Sequence, residues 1–290
     1  MSEVKKFNFR IHRGFSESIS ATFDFVKLNY RMIWKILVRI PGPILIVSIL
    51  VLMFSFFNTY SSLPQGQPFI PTDSIPSFVG FMFLGIILFI IASVLFTVSI
   101  NEFIVLYVNN ENPEEITVKD VYQNVKKRFW LYIGGGLLVG LMVIAGMILL
   151  LIPGIYLAVA TMYVFIIISA EGKGVSDAIS RSFNVVSGFW WSSFGFMIVI
   201  GFLVMSITYI IQIPIIGIGA YFLISDNEST TGAIIYGISN GFSYIVYLAI
   251  SSLTLIAISV YYYSIVEAKE QIGLQHKIEE MDTSSDETAN

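Results

Sequence analysis

The 290-residue chain has no cysteine, two histidines and few charges: 12% of its residues are Asp, Glu, Lys or Arg, against about a quarter in an ordinary soluble domain. The missing cysteines exclude thiolate chemistry, disulfides, iron–sulfur clusters and the usual zinc cages. His12 and His276 both lie in polar terminal stretches, which excludes a histidine site within a membrane. A net charge of −4 and a pI near 5.2 leave no basic surplus for neutralising phosphates, so nucleic acid is excluded as a partner. There is no nucleophile elbow, no glycine-rich phosphate loop before a lysine and no metal-binding His or acidic pair. No catalytic residue, cofactor or metal is therefore assigned, and a membrane enzyme is the least supported function class.

What is present is apolar. Hydrophobic residues make up 56% of the chain and mean hydropathy is +0.79. The stretch 80–100 carries no charge at all. Spanning a hydrocarbon core about 30 Å thick takes about 20 apolar residues as a helix. Residues 34–57, 78–108, 130–152 and 191–213 qualify. Residues 154–170, reached through the turn Ile152-Pro153-Gly154, return the chain, and 232–266 form the last crossing. Residues 214–225, hydrophobic but too short to span, read as an interfacial or re-entrant piece. The expected fold is an all-α polytopic membrane protein with six transmembrane helices arranged as three hairpins.

Orientation follows from the basic residues, which accumulate on the cytoplasmic side. Eight lie at or before the first span, four before the third (Lys119, Lys126, Lys127, Arg128), two before the fifth (Lys173, Arg181) and two after the sixth (Lys269, Lys277). All of them fall on one face, while loops 58–77 and 212–231 have none. Both termini are expected in the cytoplasm. All four tryptophans lie at expected cytoplasmic ends, where aromatic rings favour the headgroup level. The first 30 residues are polar and amphipathic, unlike a cleavable signal peptide.

Each hairpin is preceded by a polar segment of helical period, expected as a cytoplasmic amphipathic helix at the interface. In the first, Ile19, Phe23, Val26 and Tyr30 share a face. In the third, Ile179, Phe183, Val186 and Trp190 do so at the same spacings. Glu17 aligns with Asp177, Ser20 with Ser180 and Thr22 with Ser182, each pair 160 residues apart. Residues 117–129 form a shorter second copy. One membrane domain, 1–274, thus reads as three repeat units, about 15–108, 117–170 and 175–268. Such helices orient the hairpins, form a collar round a cytoplasmic groove or sense lipid packing. Residues 275–290, with five acids against one lysine, read as a disordered acidic tail.

Ionisable groups at membrane depth default to functional candidates. Glu102, beside Asn101, is the deepest carboxylate. It either pairs with Lys35 or Arg39 and snorkels, or forms a proton or cation site. Ser93, Thr97 and Asn101 recur every fourth residue, and Asn240, Ser243, Tyr247, Ser251 and Thr254 lie on one face of the last span. These stripes serve close packing or, if they face each other, line a polar crevice through Ser93, Thr97, Asn101, Glu102, Asn240, Ser243 and Tyr247. Lys126, Lys127, Arg128, Arg181 and Trp190 are candidates for headgroup contact. Gly136/Gly140 and Gly237/Gly241 match a small-residue packing pattern at close to chance, and Pro41-Gly42-Pro43 and Asn240-Gly241 are candidate kinks.

From Leu149 to Trp191 the sequence becomes specific. Leu150-Leu151-Ile152-Pro153-Gly154-Ile155-Tyr156-Leu157-Ala158-Val159, Ala170-Glu171-Gly172-Lys173-Gly174, Asp177-Ala178, Arg181-Ser182-Phe183 and Gly188-Phe189-Trp190 resemble the glycerophosphoryl diester phosphodiesterase membrane-domain family and the related YciC-like six-span bacterial proteins. The resemblance covers about 45 residues clearly and implies a membrane module only. The soluble barrel that carries the family's catalysis has no counterpart in this chain. It implies a bacterial cytoplasmic-membrane location; Glu171, Arg181 and Trp190 match positions the family repeats, and their chemistry reads as structural, with Glu171 capping the following helix and complementing its dipole, Arg181 facing headgroup phosphates and Trp190 anchoring.

Two functions are left in contention. One is a non-enzymatic scaffold or accessory subunit that binds membrane lipids, another membrane protein or a second copy of itself. The alternative is a small transporter or lipid translocator using a crevice between spans two and six.

Overall fold

The computed structural model describes residues 7–61, 75–225 and 230–270. Within a bilayer, backbone amides and carbonyls must be satisfied inside each segment, which leaves helices as the outcome for apolar runs of this length. The helices are α1 (Phe15–Arg39), α2 (Gly42–Ser61), α3 (Ile75–Asn109), α4 (Val118–Leu149), α5 (Leu151–Ala160), α6 (Val164–Glu171), α7 (Val175–Val186), α8 (Trp190–Ser225) and α9 (Thr230–Glu270), with no strand among the described residues. The protein is an all-α polytopic membrane protein. Among the described residues, five segments are long and apolar enough to cross a membrane: α3, α4, Leu151–Glu171, Trp190–Phe222 and Gly237–Glu270. Helices α1 and α2 add a sixth if taken as one span bent by 55°. The acidic tail 275–290 and His276 lie outside the described residues.

The bend falls at Pro41-Gly42-Pro43, where the prolines remove backbone donors and clash with the turn before them. By contrast α9 runs without a break through Asn240-Gly241. Residues 214–225 also differ from the sequence expectation: α8 continues through Pro214 to Ser225 as one helix. A proline within a membrane helix is tolerated where neighbouring groups re-satisfy the freed carbonyl, and the apolar residues beyond it simply prolong the helix.

The segments ahead of the three hairpins share a local plan but not a boundary. Each helix carries an acid at its third residue: Glu17, Asp120 and Asp177. There a carboxylate meets free amides and the positive end of the helix dipole. Glu17 accepts the Gly14 amide at 3.0 Å. Thr117 and Asp120 cap each other's amides in a capping box. The fourth and eighth helical residues are buried in all three: Ser18 and Thr22, Val121 and Val125, Ala178 and Ser182. Only α7 is a separate helix, closed off by Ser187 and by Gly188 at φ +82°. No glycine or proline separates residues 118–129 from the third span, so α4 is one helix of 32 residues. Likewise α1 runs on to Arg39. The apolar face of α7 (Ala178, Ile179, Val185, Val186) is buried against protein, which leaves its polar face outward.

The chain forms two compact units. The first comprises the described parts of Met1–Tyr30, Ile100–Ile200 and Leu253–Asn290; the second comprises those of Arg31–Ser99 and Gly201–Ser252. In the first, the segment before α1 is strapped down. The Phe7 amide donates to the Tyr107 hydroxyl at 3.1 Å, and Ser264 Oγ both accepts the Arg13 amide and donates to its carbonyl at 2.9 Å. Phe9, Phe25 and Tyr107 meet edge to face beneath that segment. Helices α4 and α5 form a hairpin in which Gly146 and Gly154 bring the backbones together: a β-carbon on Gly146 would lie 2.9 Å from the Gly154 Cα. The turn itself is at Leu150, and Pro153 already sits in the first turn of α5, where its missing amide costs nothing.

In the second unit, the Ser48 hydroxyl donates to the Gly85 carbonyl at 3.0 Å and joins α2 to α3. Gly241 and Gly237 of α9 lie against Ile49 and Met53 of α2. The small-residue pattern is therefore a packing surface at Gly237/Gly241. At Gly140, by contrast, nothing lies within 4 Å of an added β-carbon.

Candidate functional site

The first unit contains two polar centres. The deeper one is built on Glu102, which is 1% exposed. A carboxylate removed from water persists only when paired and hydrogen-bonded, and Glu102 is both. Arg128 Nε of α4 lies 3.0 Å from its Oε1, and Ser169 Oγ of α6 donates to the same oxygen at 2.6 Å. The network continues through Tyr132, whose hydroxyl lies 2.6 Å from Ser169 Oγ and 2.8 Å from the Phe165 carbonyl. Asn101 Nδ2 donates to the Tyr132 hydroxyl at 3.1 Å, and Ser259 Oγ of α9 donates to Asn101 Oδ1 at 3.4 Å. The Arg128 guanidinium also donates to the Ile168 carbonyl. Four helices, α3, α4, α6 and α9, thus meet in one satisfied network. The cation that answers Glu102 is Arg128, one turn ahead of Tyr132, instead of Lys35 or Arg39.

The second centre lies where helices end. A cleft of about 310 Å³ is lined by residues from the segment before α1 (Arg10), the C-terminal ends of α3 (Asn109), α6 (Glu171) and α9 (Tyr263, Glu267, Glu270), and α7. Its hub is Arg181. Nε sits 2.8 Å from Glu171 Oε1, and a second guanidinium nitrogen bonds Glu270. Glu171 also receives Lys173 at 2.8 Å and the Tyr262 hydroxyl at 2.7 Å. Partial burial works against the charge on Arg181, but the hydrogen bonds it donates to Glu171 and Glu270 outweigh it and hold its pKa above the ordinary value. Gly172, at φ +67°, makes the left-handed turn that brings α7 back beside α6. Lys269 reaches the Asn184 carbonyl, so the end of α9 is fastened to α7 a second time.

These arrangements change the roles expected for several residues. Glu171 ties α6 to α7 and α9 and does not cap the following helix, whose N-cap residue is Gly174 without a side-chain bond. Arg181 and Arg128 are held by carboxylates, whereas Lys126 and Lys127 are exposed, with Lys126 Nζ 4.6 Å from the Tyr122 ring centroid. Trp190 is stacked between Tyr156 and Phe194, and its indole nitrogen is buried without a hydrogen-bond partner. Its neighbour Trp191 is 78% exposed. Of the seven crevice candidates, Asn101 and Glu102 belong to the first unit and Ser93, Thr97, Asn240, Ser243 and Tyr247 to the second. Ser93, Thr97 and Ser243 donate to carbonyls four residues earlier in their own helices, at 2.9 Å each. Sequence reasoning missed Tyr132, Ser169 and Ser259 as partners of Asn101 and Glu102. The only available signal was that a buried carboxylate requires several donors.

Among the described residues no group of three or more His, Cys, Asp or Glu is placed to hold a metal ion. No family model, curated protein or solved structure matches the chain.

Proposed function

We propose that the chain is a non-enzymatic scaffold or accessory subunit of the bacterial cytoplasmic membrane, with both termini in the cytoplasm, acting by binding lipid or a protein partner. The reading rests on the state of its deepest charge. Glu102 shares one oxygen between Arg128 and Ser169, and its neighbours Asn101 and Tyr132 are bonded to each other. A carboxylate fixed in this way serves as a tie between helices; using it as a cation or proton site would first require breaking several bonds in a low-dielectric setting.

The stripe hydroxyls support the same reading, since Ser93, Thr97 and Ser243 bond their own helices. The resemblance of residues 149–191 to the phosphodiesterase membrane-domain and YciC-like families supports reading this region as a membrane module. Among the described residues, the cleft around Arg181, where charged groups collect at helix ends, offers a place for binding.

The test is reconstitution into liposomes with ion-flux and lipid-scrambling readouts. The expected result is the empty-liposome rate for the native chain. Flux or scrambling above that rate, abolished by Glu102→Leu in a folded protein, would overturn the reading.

A further inference from the structure

We propose that the exposed face of α4 between Tyr122 and Trp130 docks an anionic phospholipid of the adjoining leaflet, with Lys126 and Lys127 taking the headgroup phosphate. This rests on the reading of the chain as a binding protein of the membrane and adds the class of lipid and the residues that select it.

Helix α4 is divided lengthwise by its period of 3.6 residues. Val121, Val125, Tyr132 and Gly135 are buried on one side, where Arg128 also turns inward to reach Glu102. On the opposite side Tyr122, Lys126, Lys127 and Trp130 are exposed, and the same side continues through exposed Leu137 and Leu141. The helix is unbroken between the two stretches, so the cationic and apolar parts form one strip.

The depths along that strip fit a phospholipid. Trp130 is 75% exposed, and a tryptophan ring favours the boundary between hydrocarbon and headgroups. Lys127 and Lys126 lie three and four residues before it, about 4–6 Å along the axis, within a headgroup layer about 5–8 Å thick. Side chains on a helix lean towards its N-terminus, which carries both ammoniums away from the hydrocarbon while their methylenes stay along the strip. Lys126 Nζ is steadied 4.6 Å from the Tyr122 ring centroid. Leu137 and Leu141 follow about 10–17 Å deeper, where an acyl chain runs.

Charge then selects among phospholipids. Neither lysine makes an ion pair among the described residues. The single acid of α4, Asp120, is bound to Thr117 in the capping box and lies about 9 Å from Lys126 along the axis. Arg128 is answered inside the protein by Glu102. Two adjacent ammoniums at the edge of a low-dielectric layer, with no counter-charge from the protein, favour a lipid of net negative charge over a zwitterionic one, which brings its own cation. Phosphatidylglycerol is the simplest lipid of that kind.

The experiment uses the full chain, purified in detergent and exposed to equal phosphatidylglycerol and phosphatidylethanolamine, with retained lipid counted by native mass spectrometry. Phosphatidylglycerol should be retained in preference. Lys126→Gln and Lys127→Gln should each reduce that preference by roughly fivefold, as the attraction of one lysine to an anionic leaflet implies, and the double variant should abolish it. Lys126→Arg with Lys127→Arg should keep it. Lys119→Gln, on the same side but about 16 Å from Trp130 and so beyond the headgroup layer, should leave the preference in place. A loss there equal to that of Lys127→Gln would mean diffuse attraction without a docking surface and would overturn the proposal. Displacement of the lipid by inorganic phosphate would overturn it too, because the acyl chain is part of what binds. Thermal melting identifies any variant that has unfolded. Equal retention of the two lipids, or a preference that the double glutamine variant leaves unmoved, would overturn the proposal and leave this face to a protein partner. Neither result touches the reading of the chain as a binding protein, which Glu102-dependent flux would sink.

Discussion

Arg128 Nε lies 3.0 Å from Glu102 Oε1 and joins α4 to α3 where the carboxylate has lost nearly all contact with water. A buried pair is worth little against an apolar replacement of the same shape, but removing one member strands the other. Arg128→Leu should therefore destabilise by about 3–5 kcal/mol, because Glu102 keeps only Ser169. Glu102→Leu with Arg128→Leu should restore much of that loss. Chemical unfolding in detergent of both singles and the double measures the coupling. A loss in the double variant equal to the sum of the two single losses would mean that the pair is not a unit.

Arg181 gives a different test, because what matters there is geometry more than charge. Its guanidinium reaches Glu171 and Glu270 together, which one ammonium on a flexible stem does poorly. Arg181→Lys should cost about 1 kcal/mol, a figure kept low because Glu270 is partly exposed and screened. Hydrogen exchange should rise at the end of α9 and in α7 and stay unchanged in α2. A rise spread evenly over the chain would contradict a local role.

The sequence carried the gross fold well, for a physical reason. Uncharged runs such as 80–100 can be accommodated only as membrane helices, and the basic residues mark their ends. It also carried the acids at positions 17, 120 and 177 that open the lead helices, but of the residues one and five further on, buried in all three, Ser18, Thr22 and Ser182 are polar and do not stand out as a buried face by composition. The helix boundaries it did not carry. Whether residues 117–129 lie apart from the third span depends on a breaker that is absent there and present at Gly188. Pro214 looked like a boundary by composition, but a membrane helix tolerates it. The partners of Glu102 were hidden for another reason. Arg128, Tyr132, Ser169 and Ser259 lie on three other helices, and one sequence contains no signal of which helix faces which.

Glycine substitutions separate packing surfaces from chance matches. Gly146→Ala would place a methyl group 2.9 Å from the Gly154 Cα. Since backbone cannot step aside as a flexible side chain can, the expected cost is about 1–3 kcal/mol. Gly140→Ala meets nothing within 4 Å and should stabilise by about 0.5–1 kcal/mol through lower chain entropy. Gly241→Ala meets the γ2 methyl of Ile49 at 2.6 Å, a side-chain atom that can shift more than backbone can, and should fall between the two. Unfolding curves for the three variants should follow that order, and a loss at Gly140 equal to that at Gly146 would contradict it.

The tip of the α4–α5 hairpin predicts where the chain stops in the bilayer. From Trp130 to Leu149 the helix rises about 30 Å, the thickness of the hydrocarbon core. The next residues offer no polar side chain, and Ile148 to Ile152 are 66–79% exposed. The turn is also tight: the Leu150 amide bonds the Gly146 carbonyl at 3.1 Å, and the Gly154 amide the Leu150 carbonyl at 3.4 Å. Five consecutive apolar residues facing outward are stable in lipid and costly in water, so the tip should stay within the far leaflet. The absence of native cysteine makes a single introduced thiol unambiguous. Leu150→Cys in intact membranes should resist a water-soluble maleimide from either side and react with a lipid-soluble one. Ser180→Cys, on the exposed face of α7, should label readily with the water-soluble reagent, from the cytoplasmic side alone. Rapid aqueous labelling at Leu150→Cys would place the hairpin tip outside the membrane and require a partner or a water-exposed role for it.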